Sequence, residues 1–355
     1  MTDDHDEQRA TEILLCAKCF QDRGLRHMAR WFETEERSCP NCGAVSKHCL
    51  TRDDLLWLSK NFFEKGSTAF TDYGGAPTIV FNETQKGSLN PDPPLAADVD
   101  LLQNVLHIGF FHYGPRLWMI GNIAPLEHLQ AAAQRPAVIE RILESYPTVW
   151  LTDTEFYRVR KAPENPAEPN EYDAPPQRYL GNGRLDNADL PVLYGSQDAE
   201  ICVHECRFMA GDELYIATLR PKRPLKLIDL SAILQEDCTE FESLDLGVLM
   251  LFLAQSHAYP ISREIAQAVH ARGFDGMIYP SYFSVLHTGG NPFDTVYGLS
   301  TRRFGQSRDF EKSKIIGNLA IFGRPVAEGL VAVVGVNRLI IDQVKYKMIF
   351  GPVTY

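Results

Sequence analysis

Two cysteine pairs near the N-terminus, Cys16-Ala-Lys-Cys19 and Cys39-Pro-Asn-Cys42, lie nineteen residues apart and restrict the fold more tightly than any other feature of the chain. A CxxC turn aims two thiolates at one point, and two such turns complete a tetrahedral sulfur shell. Gly43 follows the second pair, where a tight knuckle favours a residue without a Cβ. Four soft thiolates with no open position make a closed structural site, and Zn²⁺ is its natural occupant. His48 and Cys49 follow closely, and either is an alternative to one of the four ligands. Unrelated reduced cysteines would not explain two matched pairs. A closed sulfur shell does no chemistry, so the module either stabilises its own fold or binds a partner.

The chain has 355 residues, enough for two domains. Its net charge of -11 excludes a general nucleic-acid binder, because neutralising phosphates needs a basic face. The acidic N-terminal stretch has no apolar core of signal-peptide length. The best apolar run, Leu246 to Ala254, is far shorter than the roughly 18 residues of a membrane span. A cytoplasmic protein with no membrane association is the expectation, and a disulfide framework is not. Cys202 and Cys206 are spaced as neighbours on a helix face and read as core packing, as free cysteines often do.

Sequence texture divides the chain at about residue 148. Residues 1–148 hold the cysteine module and several helical patterns, such as Asp53 to Lys65 with its leucines and phenylalanines on one face. Residues 86–100 read as a loop by composition. Residues 149–355 alternate short apolar strands with two helices, one around Ser196 to Met209 and one around Ser262 to Gly273. Residues 161–177 contain five prolines and are expected to form an exposed loop, and a second polar loop spans 287–312. The order of elements predicts an α+β domain with a mixed sheet, preceded by a small zinc-binding, mostly helical domain.

The residues that bear chemistry cluster in the second part. Arg184 follows Gly181-Asn-Gly183, a turn on which backbone and guanidinium can approach an anionic ligand. Tyr194 lies on a short strand, and Glu205 lies on the helix after it. Ser281 follows Tyr279-Pro280 at the end of an apolar strand. Each has an ordinary structural explanation: a turn arginine, a core tyrosine, a solvated helix glutamate, a turn serine. His204-Glu205 does not begin a metalloprotease helix, because Phe208 occupies the place of the second histidine. Nor is there a G-x-S-x-G elbow, a P-loop or a Rossmann fingerprint.

Taken in order, Phe156-Tyr-Arg158, Gly181-x-Gly-Arg184, Tyr194 through Glu205, Tyr279-Pro-Ser281 and Asn318 to Phe322 resemble the RES domain, a family known chiefly as bacterial toxins. The resemblance covers about Thr154 to the C-terminus, and the cysteine-paired part resembles a HEPN/RES-type segment found ahead of some RES domains. It implies an ADP-ribosyltransferase-like fold that binds NAD⁺ and splits its nicotinamide–ribose bond. By the same resemblance, Glu205, Arg184 and Ser281 would be catalytic, and Arg158, Arg184, Tyr194, Ser281 and Asn318 would hold the dinucleotide. Tyr194 would stack near the leaving nicotinamide. It further implies an antitoxin or other regulatory partner, and a homo-oligomer is a further expectation. Transfer of ADP-ribose to a protein or nucleic acid is the alternative activity, and a non-catalytic zinc-module binding protein is the alternative class. The proline-rich loop and the insert between Ser281 and Asn318 are larger than compact toxins need.

Overall fold

The computed structural model describes residues 12–353 except 68–69, 72–73, 76–77, 85, 114–122, 255, 289–294, 297–298, 301–307 and 345–347. Most of the polar segment 287–312 therefore lies outside the described residues. The chain forms two compact units, Met1–Ile120 with Tyr346–Tyr355, and Gly121–Lys345. Residues 121–148 fall in the second of these.

In the first unit, strand Ile13–Cys16 pairs antiparallel with Cys49–Thr51, and a helix spans Arg23–Ala29. Thr51 opens the next helix, Arg52–Ser59, with a reciprocal capping box, accepting from the Asp54 N–H while Asp54 accepts from the Thr51 N–H. The chain continues as a wider turn of helix through Lys65. Pro93–Leu106 is a helix where the sequence suggested loop. Its prolines fall in the first turn, where no backbone donor is needed, and Leu95, Val99, Leu102 and Leu106 line a buried stripe behind them. These helices and the ribbon Thr78–Asn82 with Gly109–Tyr113 enclose a core including Phe20, Leu55, Phe62, Phe63 and Phe110.

Asp98 crosses this core. Only 1 % exposed, its carboxylate accepts from the N–H groups of Gln21 (2.8 and 3.0 Å) and Asp22 (2.7 Å), at the start of the helix beginning at Arg23. Asp98→Ala would leave those donors without their partner, so unfolding of this unit should become easier by about 1–3 kcal/mol in denaturant titration. Burial raises the Asp98 pKa above its usual value, outweighing the backbone donors. The folded state therefore binds this proton more tightly than the unfolded chain. Its titration adds stability below the unfolded carboxyl pKa, and that increment is lost as pH rises through the folded one. The variant should lack this slope.

The second unit is built on one eight-stranded mixed sheet. Its strands are β1 (Thr148–Leu151), β2 (Phe156–Lys161), β3 (Val192–Ser196), β4 (Leu214–Pro221), β5 (Leu225–Asp229), β6 (Gly276–Pro280), β7 (Gly317–Phe322) and β8 (Val331–Leu339). Across the sheet the order is β8-β4-β2-β3-β7-β6-β5-β1. Only β5 and β6 are parallel, joined through helices as such a crossover demands. The longer helices are α1 (Ala124–Gln130), α2 (Arg135–Ser145), α3 (Ala199–Glu205), α4 (Leu244–Leu253) and α5 (Tyr259–Ala271). Phe156, Leu193, Leu219, Leu227, Leu319 and Ile321 form the main apolar cluster of the sheet. Helix α4 is buried along nearly its whole length and is apolar on every side, as a core helix should be. Among the described residues no helix is long and apolar enough to cross a membrane. The α+β class with a mixed sheet, flanking helices and a cysteine cluster ahead of it is the architecture expected.

The proline-rich segment departs from expectation. It contains two short 3-10 turns, and Tyr172, Asp173 and Ala174 are buried. Arg160 donates to the carbonyls of Glu171 (2.8 Å) and Asp173 (2.9 Å), while the Tyr172 hydroxyl donates to Pro166 O (2.9 Å). Prolines already restrict this segment, so a few side-chain anchors suffice to seat it.

Candidate active site

Strands β6 and β7 run antiparallel through the middle of the sheet and set Tyr279 directly opposite Asn318. Ser281 lies two residues beyond Tyr279, on the same side in extended backbone. Its own N–H donates to Ile316 O (2.8 Å), fixing it after the strand ends. Helix α3 begins at Asp198, whose carboxylate accepts from the N–H groups of Glu200 and Ile201, and it ends at Glu205. His287 lies against both Asp198 (2.8 Å) and Glu200 (3.1 Å), tying the segment after Ser281 to the start of this helix.

These elements bring three of the expected residues into contact. Ser281 Oγ and Asn318 Nδ2 both donate to Glu205 Oε1, each at 2.6 Å. The two donors are 2 % exposed, whereas Glu205 as a residue is exposed. Among the described residues Oε2 of Glu205 has no hydrogen-bond partner. One oxygen is thus anchored by two fixed donors and the other is left to accept. His204, beside it, stacks on Phe283 at 5.5 Å, a packing position and not a ligand position.

Arg184 and Tyr194 belong to a second, adjoining structure, the 181–186 turn. The Tyr194 hydroxyl accepts from the N–H groups of Leu185 (2.8 Å) and Asp186 (3.1 Å) and donates to Asp186 Oδ1 (2.8 Å). Asp186 Oδ2 in turn accepts from Gly181 N (2.6 Å). A Cβ on Gly183 would fall 1.9 Å from Asp186 Oδ1, so this close approach requires glycine. From the other side Arg263, on α5, donates to the carbonyls of Gly181 (2.5 Å) and Gly183 (2.7 Å). Tyr194 is therefore engaged in holding this turn. Burial and the neighbouring Asp186 charge keep its phenol protonated.

The Arg184 guanidinium donates to Ala254 O (2.9 Å) and, more weakly, to Leu251 O (3.5 Å), and lies 4.8 Å from the centre of the Tyr259 ring. The end of α4 attracts a cation, since its last carbonyls lack helical partners. Arg158 is 6 % exposed and donates to Tyr194 O (2.6 Å), but its buried Nε has no partner. No carboxylate pairs with it among the described residues. Burial, then the positive charge of Arg160, pushes its pKa down to about 9, so it stays charged at neutral pH. Asp173 acts on it only through space, and a buried cation with no direct ion pair suits an anionic ligand.

Sequence reasoning did not identify Asp186, Arg263 or Tyr279. Asp186 had a weak signal, two residues after Arg184 in a turn that wants an acceptor. Arg263 had none, because it arrives from a helix eighty residues away. A groove of 460 Å³ between Pro166–Pro169 and β8 lies elsewhere on the unit and contains none of the site residues.

In the first unit the four cysteines converge, with their sulfurs all within 4.8 Å of one another. Cys16–Cys42 and Cys19–Cys39 are 3.6 Å apart and Cys16–Cys19 is 3.9 Å. A tetrahedral shell with zinc–sulfur bonds of about 2.3 Å places its sulfurs about 3.8 Å apart. The donor set and its spacing therefore fit Zn²⁺. Gly43 takes a φ of +71° in the second knuckle, and Asn41 Nδ2 lies 3.3 Å from Cys19 Sγ, a donor to thiolate. His48 lies instead against Phe32 O (3.0 Å) and Cys49 against Ser46 O (3.5 Å), so neither joins the cluster.

No curated protein sequence matches the chain. Among solved structures, the chain is similar to one in the M. tuberculosis MbcT-MbcA toxin-antitoxin complex, at 13 % identity and a TM-score of 0.32, over 57 % of this chain and 92 % of that one. Residues 155–291 match the RES domain family, from the start of β2 through Arg158, Arg184, Tyr194, Glu205 and Ser281. This stretch of the chain is a RES domain.

Proposed function

We propose that the second unit is an enzyme that cleaves the nicotinamide–ribose bond of NAD⁺, with water or phosphate as acceptor. The observation that carries this reading is the Glu205 carboxylate, anchored through one oxygen by Ser281 and Asn318 with the other oxygen free. Cleavage of an N-glycosidic bond passes through an oxocarbenium-like state. The bonding pair leaves with nicotinamide, which becomes neutral, so no strong acid is required. Glu205 accepts from a ribose hydroxyl and stabilises the positive charge that develops on the sugar. The acceptor then bonds to the same carbon and loses its proton to solvent.

Arg158, buried and without a direct ion pair among the described residues, supplies positive charge for the diphosphate. Arg184 adds to it from the end of α4, on a turn held by Tyr194, Asp186 and Arg263. Tyr194 acts in this account as a support of that turn. The four cysteines hold a structural Zn²⁺ that fixes their module and takes no part in the reaction. A regulatory or antitoxin-like partner restrains an activity that would otherwise drain the NAD⁺ pool. The purified protein should release nicotinamide from NAD⁺ with no other protein added, and an intact NAD⁺ pool after prolonged incubation would count against the reading.

A further inference from the structure

Tyr279 lies beside this site with its hydroxyl unused among the described residues. It is 8 % exposed, yet among the described residues its hydroxyl makes no hydrogen bond and is not sealed from solvent. Tyr194, by contrast, uses its hydroxyl three times. The hydroxyl has no partner in the protein and is reachable from outside, so it is open to a ligand that presents an acceptor.

Its position specifies which ligand group. Tyr279 faces Asn318 across the β6–β7 pair, and Asn318 holds Glu205. It shares a side of the chain with Ser281, which holds the same carboxylate oxygen. The ring is fixed by Phe252, 5.6 Å away. Burial and then the negative charge of Glu205 raise its pKa far above that of an ordinary phenol, and the Arg184 charge opposes this only in part. The hydroxyl therefore keeps its proton and is a neutral donor beside a carboxylate that can only accept.

We propose that Tyr279 is a further substrate-binding residue of this site, donating to the oxygen of the same ribose hydroxyl that donates to Glu205. A sugar hydroxyl gives one hydrogen and can accept another, so it satisfies both groups at once. The assignment rests on the NAD⁺ reading above.

The test is Tyr279→Phe, which removes one oxygen and keeps the ring against Phe252. Steady-state kinetics would be measured on NAD⁺ and on its analogues lacking the 2′- or the 3′-hydroxyl of the nicotinamide ribose. The variant should lose about tenfold to a hundredfold in kcat/KM on NAD⁺, with an unchanged melting temperature. On one of the two deoxy analogues, variant and wild type should be nearly equal, because the contact is already gone. An unchanged kcat/KM on NAD⁺ would overturn the assignment, as would an equal loss on NAD⁺ and both analogues. Failure of the wild-type protein to turn over NAD⁺ would instead overturn the reading on which the assignment stands.

Discussion

Glu205→Gln should leave about 0.1–1 % of the NAD⁺ turnover of the wild-type protein while its melting temperature stays the same. The amide oxygen of glutamine can occupy the place of Oε1 and keep both hydrogen bonds, from Ser281 and from Asn318. The amide nitrogen then replaces Oε2. A negative acceptor aimed at the ribose becomes a neutral donor, and stabilisation of the sugar cation is lost where it matters most. Preorganised electrostatic stabilisation is commonly the largest single contribution to a rate enhancement, which sets the size of the effect. Stability should be unaffected because Glu205 is exposed and its anchored oxygen is conserved in the amide. Full turnover in this variant would remove Glu205 from the mechanism.

The second large effect concerns the sulfur shell. Elemental analysis should find about one zinc per chain, and chelation should abolish hydrogen-exchange protection across residues 13–51. Burial of Cys16 and Cys39, at 0 % and 2 % exposure, leaves their thiols no solvent to turn to once the metal is gone. Cys16→Ala should lose the metal. Cys49→Ala should keep it, because Cys49 is equally buried but points to the Ser46 carbonyl. Zinc retained by Cys16→Ala, or lost by Cys49→Ala, would mean a different ligand set.

Much of this was legible in the sequence, for reasons that differ between the two units. The cysteine shell could be read because two CxxC knuckles impose their geometry locally. The strands of the second unit showed as short apolar runs, and Glu205 and Ser281 fall in the stretch that matches the RES family, whereas Asn318 lies beyond it. Local rules failed where a long-range contact decides. Residues 86–100 read as loop because of their prolines, yet two of those prolines open a helix whose stripe from Leu95 to Leu106 is buried. The composition of the loop after Lys161 predicts exposure because nothing in it announces that Arg160 and Tyr172 pin it.

The same distinction separates the two tyrosines. Tyr194 carries the family motif, and the turn ending at Asp186 occupies its hydroxyl. Tyr279 drew attention only as the residue before Pro280-Ser281, and the sheet register places it opposite Asn318. No pattern in sequence records that register. Arg263 is a similar case, since only the packing of α5 brings it to the carbonyls of Gly181 and Gly183.

Mass spectrometry of the products formed from NAD⁺ by the purified protein, with and without phosphate and with no macromolecular acceptor present, tests the central claim most directly. The account predicts nicotinamide together with free ADP-ribose in the absence of phosphate, or its phosphorylated form when phosphate is the acceptor. ADP-ribose found only on a protein or nucleic acid, or no cleavage of the nicotinamide–ribose bond under either condition, would contradict it.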